Sequence, residues 1–184
     1  MTEKLLSDKE VLRLAGPDTK VVLYPDVAKY NDIDELFGHH NKIALLYVNE
    51  ENPTSITGHW VALLRTNRNG KQIYEVSDSY GKMIDGHLDA FPKNYRNSLG
   101  QSKNFLTRLL YAKLKENKNS EVHYNEVGLQ KTNPNIATCG RWCGTRLRFS
   151  DIPLEHWQKS FRNLKNNGHD IDKVIVNISN KLLN

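Results

Sequence analysis

Three apolar runs placed around one turn constrain this chain more than any other feature. Lys42-Ile43-Ala44-Leu45-Leu46-Tyr47-Val48 and His59-Trp60-Val61-Ala62-Leu63-Leu64-Arg65 read as buried strands. Asn69-Gly70 is a two-residue hairpin signal, and Ile73-Tyr74-Glu75-Val76 is the strand that returns from it. The polar stretch from Asn49 to Thr57 reads as a loop between the first two strands. A chain with this centre makes an antiparallel pair early, and its other segments have to cover that sheet.

The covering segments are mostly helical. Ser7-Asp8-Lys9-Glu10 has the form of a capping box and opens a short helix to about Ala15, stopped by Gly16-Pro17. Val21 to Tyr24 is a short extended piece, and Asp32 to Phe37 is a turn or two of helix stopped by Gly38. Met83 to Asn104 is loop-rich, and Phe105 to Lys115 has helical periodicity. Val122 to Gln130 reads as a further strand. Leu154 to Phe161 belongs to a helix, and Ile171 to Leu183 is the last one, with Val174, Ile175, Ile178 and Leu182 on one face. No repeat, linker or low-complexity run interrupts the chain, so one α+β domain over residues 1–184 is expected.

Composition narrows the functional classes. With 38% hydrophobic and 26% charged residues the chain is globular and rather polar. Its two cysteines, four residues apart, form no disulfide framework, and Cys-x-x-x-Cys without a second pair is no zinc site. No metal or cofactor is expected. The N-terminus lacks the apolar region of a secretory signal, and no apolar run approaches a membrane span, so a reducing compartment without membrane contact is expected. The formal charge of +5 is concentrated between residues 91 and 118, where Lys93, Arg96, Lys103, Arg108, Lys113, Lys115 and Lys118 face one acid, Glu116. Such a run is either a solvated face or a surface for phosphates.

The chemistry centres on Asn133 to Gly144. A proline-containing polar turn runs into Thr138-Cys139-Gly140, after which Trp142, Cys143 and Leu147 fall at helical spacing. Cys139 is therefore expected at a helix N-terminus, where unpaired N–H groups and the dipole favour a thiolate. Taken alone, Cys139 reads first as a small buried packing residue, and the rest of the chain has to move that reading. His59 opens one strand, and Asp78 closes the strand across the hairpin from it, 19 residues on. A carboxylate beside an imidazole fixes its tautomer and stabilises its cation, and an imidazolium beside a thiol makes a nucleophile.

Gly58-His59-Trp60, the hairpin to Ser77-Asp78-Ser79-Tyr80-Gly81, then Gln130 and Thr138-Cys139-Gly140, resemble the adenovirus-type (adenain-like) maturation cysteine protease. The resemblance covers residues 58 to 144. It extends to the SUMO- and ubiquitin-like-specific proteases of the same clan, and to the proteases of virophages and Polinton transposons. It implies a cysteine protease fold in which a central mixed sheet packs against helices, with the nucleophile at a helix N-terminus. It implies that Cys139 attacks the carbonyl to form a thioester, that His59 is base and then acid, and that Asp78 orients His59. The family's oxyanion-hole glutamine corresponds to Gln130, nine residues ahead of Cys139 where the family loop is commonly shorter; the amides of Asn133 and Asn135 are the alternative donors. Trp60 is either a cover for the active-site hairpin or a core aromatic, and Cys143 is packing.

The resemblance further implies capsid precursor proteins as substrates, no cofactor for the chemistry itself, and activation by DNA or a peptide. The DNA would bind the segment from Lys93 to Lys118. The expected location is the virion and the host cytoplasm or viral factory. An isopeptidase for ubiquitin-like proteins and an acyltransferase share the triad. A chymotrypsin-fold protease would continue in strands after Cys139, whereas this chain turns helical. A basic nucleic-acid-binding capsid protein without catalysis is the reading from a different class.

Overall fold

Alternation along the central strands explains the layers of the computed structural model, which describes residues 5–52, 55–133 and 136–184. Successive side chains of a strand point to opposite faces. Ile43, Leu45, Tyr47, Val61, Leu63, Tyr74 and Val76 therefore enter one core, and Ala44, Leu46, Trp60, Ala62 and Leu64 enter another. A strand that is apolar on both faces has to be covered on both.

The strands are β1 (Thr19–Leu23), β2 (Lys42–Asn52), β3 (Ser55–Arg68), β4 (Lys71–Asp78) and β5 (Ser120–Tyr124), in spatial order 1-2-3-4-5. The β1–β2 and β4–β5 pairs are parallel, while β2–β3 and β3–β4 are antiparallel. This is a five-stranded mixed sheet. The expected Asn49–Thr57 loop is mostly strand: β2 and β3 pair as far as Asn52 and Ser55, past a bulge between Val48 and Glu50. Backbone pairing carries this extension through polar residues. Only the first residues of the expected Val122–Gln130 strand pair with the sheet. Beyond Tyr124 the chain leaves it, and Asn125 turns its amide onto the Asp78 backbone.

One face carries the 3-10 turn Tyr24–Lys29, α2 (Ile33–Phe37) and α4 (Phe105–Glu116). The other carries α1 (Asp8–Ala15) and α5 (Cys139–Arg148). The capping box of α1 forms as expected, with Ser7 accepting from the Glu10 amide and Glu10 accepting from the Ser7 amide. Between Met83 and Asn104 the chain makes a 3-10 turn (Gly86–Ala90) and α3 (Lys93–Ser98). Beyond α5, helices α6 (Leu154–Asn166) and α7 (Ile171–Leu183) enclose a third cluster built on Trp142, Trp157, Phe161, Ile171 and Ile175.

Two buried polar devices hold the site's supports. The Gln101 carboxamide accepts from the Val48 amide and donates to the Val48 carbonyl, both at 2.8 Å, so it acts as a strand partner beside the bulge. Arg146 of α5 grips Glu75 of β4 bidentately at 2.6 and 2.8 Å and donates to the carbonyls of Phe149 and Ile152. A fork donor matched to a carboxylate fixes direction as well as distance, so α5 is held at a set angle on the sheet.

Candidate active site

His59 and Asp78 meet diagonally. Val61, not His59, is the register partner of Asp78, but residues two apart share a face, so both side chains lie on one side of the sheet. His59 Nε2 is 2.9 Å from Asp78 Oδ1, and that oxygen also accepts from the Tyr80 amide at 2.8 Å. The turn from Asp78 to Gly81 is closed by the Gly81 amide on the Asp78 carbonyl, with Gly81 in the left-handed region. Gly58 precedes His59 for a steric reason: any Cβ there would overlap the Tyr47 carbonyl of β2.

Cys139 is the first residue of α5, as expected from the spacing. No side chain caps the helix at Thr138, and its first turn has no acid, which leaves the field of the N-terminus to the thiol. His59, Asp78 and Cys139 are brought together and are nearly closed to solvent, at 2%, 4% and 6% exposure. Burial opposes charge on each of them. It is outweighed at Cys139 by the hydrogen bond and charge of His59 and by the Trp60 and Gly140 amides, which hold the thiol below its ordinary value. Burial is likewise outweighed at His59, where the Asp78 and Cys139 interactions raise the imidazole to about 9. At Asp78, burial yields to the His59 bond and charge and the Tyr80 amide, so the carboxyl lies below its usual range. All three directions favour thiolate, imidazolium and carboxylate together. Nε2 is committed to Asp78, so the proton shared with Cys139 belongs to the other ring nitrogen.

Gln130 lies beside this group. Ser79 donates to its Oε1 at 2.7 Å, which turns the Nε2 end toward the Tyr80 hydroxyl and the Ile136 carbonyl, both 3.2 Å away. The Leu129 and Gln130 amides both bind the Ser79 carbonyl. The long interval between Gln130 and Cys139 is thus anchored at its start by the same turn that carries Asp78. Of the alternative donors, the Asn133 amide is directed to the Lys131 carbonyl at 3.1 Å, and Asn135 lies outside the described residues. Trp60 is a core aromatic, packed with Leu6, Val11, Leu46 and Cys139. Cys143 is buried, and burial together with the neighbouring Cys139 charge pushes its thiol well above the ordinary value, so it is unreactive packing.

Four further residues shape the site, and three of them carry no motif. Asn125 clamps Asp78 from both sides, accepting from its amide at 2.7 Å and donating to its carbonyl. Asp172, in the first turn of α7, accepts from Thr138 Oγ1 at 2.7 Å, Trp142 Nε1 at 3.2 Å and the Lys131 amide at 3.0 Å. Tyr80 and His87 stack on His59. In sequence Asp172 is an ordinary acid in a helix's first turn and Asn125 an ordinary loop polar residue. His87 falls in a stretch that reads as loop. Only Tyr80 lies inside a motif.

Among the described residues no helix is long and apolar enough to cross a membrane. No protein-family model matches the chain. The chain is 32% identical to the uncharacterized protein V9 of Sputnik virophage over 154 residues, which span 84% of this chain and 81% of that protein. At that identity and coverage, the chain belongs to the family of the virophage protein V9.

Proposed function

We propose that this protein is a cysteine endopeptidase that cleaves viral capsid or structural protein precursors during virion maturation, on an adenain-like fold. The observation that carries the proposal is the convergence of a helix N-terminal thiol, an imidazole and a buried carboxylate whose ionisation is shifted in the three directions a thiolate–imidazolium pair needs. The kinship with a virophage protein supports a viral setting. In the proposed reaction the Cys139 sulfur forms a bond to the scissile carbonyl carbon. The carbonyl's electron pair moves to its oxygen, near the Gln130 amide and the amides at the start of α5. The oxyanion then collapses, the C–N bond breaks, and the imidazolium of His59 gives its proton to the departing amine. Water, deprotonated by His59, then cleaves the thioester. Asp78 keeps the ring in one tautomer throughout.

The protein would act in the virion and in the host cytoplasm or viral factory, without a cofactor for the chemistry, and with DNA or a peptide as activator. The test is co-incubation of the protein with the structural precursor proteins of its own virus, read by mass spectrometry of new termini. Discrete new termini that vanish in Cys139→Ala support the reading. Precursors left intact while a ubiquitin-like conjugate is cut would move the substrate to the isopeptidase class. No cleavage of either, with slow alkylation of Cys139 in the presence and absence of DNA, would leave a non-catalytic basic capsid protein.

A further inference from the structure

Two aromatic rings stack on the His59 ring. Tyr80 stacks on it at a centroid distance of 4.8 Å and an interplanar angle of 24°, and His87 at 4.7 Å and 21°. Both rings lie nearly parallel to the imidazole, so His59 belongs to two ring stacks at once. Tyr80 comes with the Asp78 turn, but His87 arrives from a separate element, the 3-10 turn Gly86–Ala90.

That turn is built to hold one position. Its N-cap, Asp85, sits in the left-handed region, and its buried carboxylate accepts from the Tyr47 hydroxyl at 2.9 Å and from the Thr107 amide at 2.8 Å. The His87 ring is backed by Tyr47 and by the edge of Phe91. His87 Nε2 lies 3.1 Å from Asn49 Oδ1, while its Nδ1 is buried without a partner. An amide oxygen accepts a proton, and a ring nitrogen with no acceptor carries none, so His87 is a neutral imidazole with its proton on Nε2. Burial, then the His59 and Lys82 charges, hold it far below the usual imidazole range, at about 3.

We propose that His87 is a positioning residue for His59: its uncharged ring, together with Tyr80, fixes the plane that joins Asp78 to Cys139 and lays an aromatic face on the His59 cation. The inference rests on the thiolate–imidazolium reading above. The groups facing His59 are Asp78 from β4, Tyr80 from the turn, Cys139 from α5 and His87. Aromatic rings stacked on an imidazolium favour its charge, whereas a cationic side chain at position 87 would oppose it. Removing the ring should therefore lower the pH at which His59 gives up its proton.

The experiment is the rate of Cys139 alkylation by iodoacetate between pH 4 and 10, read by peptide mapping. The anionic reagent is drawn to the imidazolium, so its rate falls as His59 deprotonates, and iodoacetamide is the neutral control. In the wild type the falling limb is expected near the His59 value of about 9. In His87→Ala it should move down by about one pH unit, with at least a threefold lower plateau, and His87→Phe, which keeps a ring, should restore the limb. If His87→Ala fails to fold by circular dichroism, His87→Leu provides bulk without a ring. A falling limb unmoved in the folded Ala or Leu variant overturns the proposal, and so does a Phe variant that behaves like Ala. Failure of the underlying pair appears elsewhere: the wild type itself would react slowly and match His59→Ala.

Discussion

Two protons decide the behaviour of the site at the level of single residues. The raised His59 binds a proton more tightly in the folded chain, so its contribution to stability is full below about 6.5 and is lost as pH rises through about 9. Cys139 is depressed, so its contribution is present above its unfolded value of 9 and is lost as pH falls through its folded value. Between these limits the folded pair holds one proton, on His59, and the unfolded pair also holds one, on the thiol. Wild-type stability should therefore be flat from the pH at which the folded Cys139 has lost its proton up to about 9. Cys139→Ser removes the compensating group and also one support of the raised His59, so its stability should fall from about pH 6.5 up to a His59 value below 9, with a slope of up to about 1.4 kcal/mol per pH unit. Urea midpoints across that range decide the matter, and parallel curves for the two proteins would refute the pair. Asp78→Asn keeps the shape of the contact but not its charge. Its Cys139 should react with iodoacetamide at pH 7 more slowly than the wild type, because losing the Asp78 charge and bond lowers His59 and weakens the hold of the imidazolium on the thiolate.

At the scale of elements, the Cys139 end of α5 depends on a helix that follows it by more than twenty residues. Asp172 of α7 is the acceptor for three donors around Cys139: the Thr138 hydroxyl, the Trp142 indole and the Lys131 amide. Asp172→Ala leaves those donors without their acceptor, at about 1–3 kcal/mol for each group that stays dry. The variant should show a lower urea midpoint and slower Cys139 alkylation together. A destabilised protein with wild-type alkylation kinetics would show that α7 supports the fold but not the nucleophile. The Arg146–Glu75 grip acts on the other end of α5, so the helix is held at both ends by buried charge. Neither anchor has a sequence signature, because each pairs residues at least 30 positions apart.

For the whole molecule, the fold redistributes the charge that the sequence concentrates between residues 91 and 118. Lys113 is spent on Asp34, with Asp32 and Glu116 nearby, Arg96 faces Asp89, and Arg108 donates to the Tyr30 carbonyl. Lys93, Lys103, Lys115 and Lys118 stay exposed, Lys115 over the Tyr111 ring. If about four lysines meet DNA phosphates, log K against log salt should have a slope near −3.6, about −0.9 per contact. Fluorescence anisotropy with a duplex measures it, and absence of binding at low salt would remove DNA from the proposal.

Strands β2 to β4, the capping box of α1 and the start of α5 at Cys139 were all legible in the sequence, because each is set by neighbours a few residues away: alternation, a turn pair, a cap. His59, Asp78 and Cys139 were legible as residue types at telling positions for the same reason. What surrounds them was not. The continuation of the β2–β3 ladder, the partial strand at β5, the diagonal meeting of His59 with Asp78, the Asn125 clamp, the Asp172 anchor and the His87 stack all join segments distant in the chain. Such contacts form only once the sheet has brought the backbone together. Local propensity therefore determined the elements and their reactive residues, and tertiary packing alone decided which polar groups are buried against one another and hence which protons they hold.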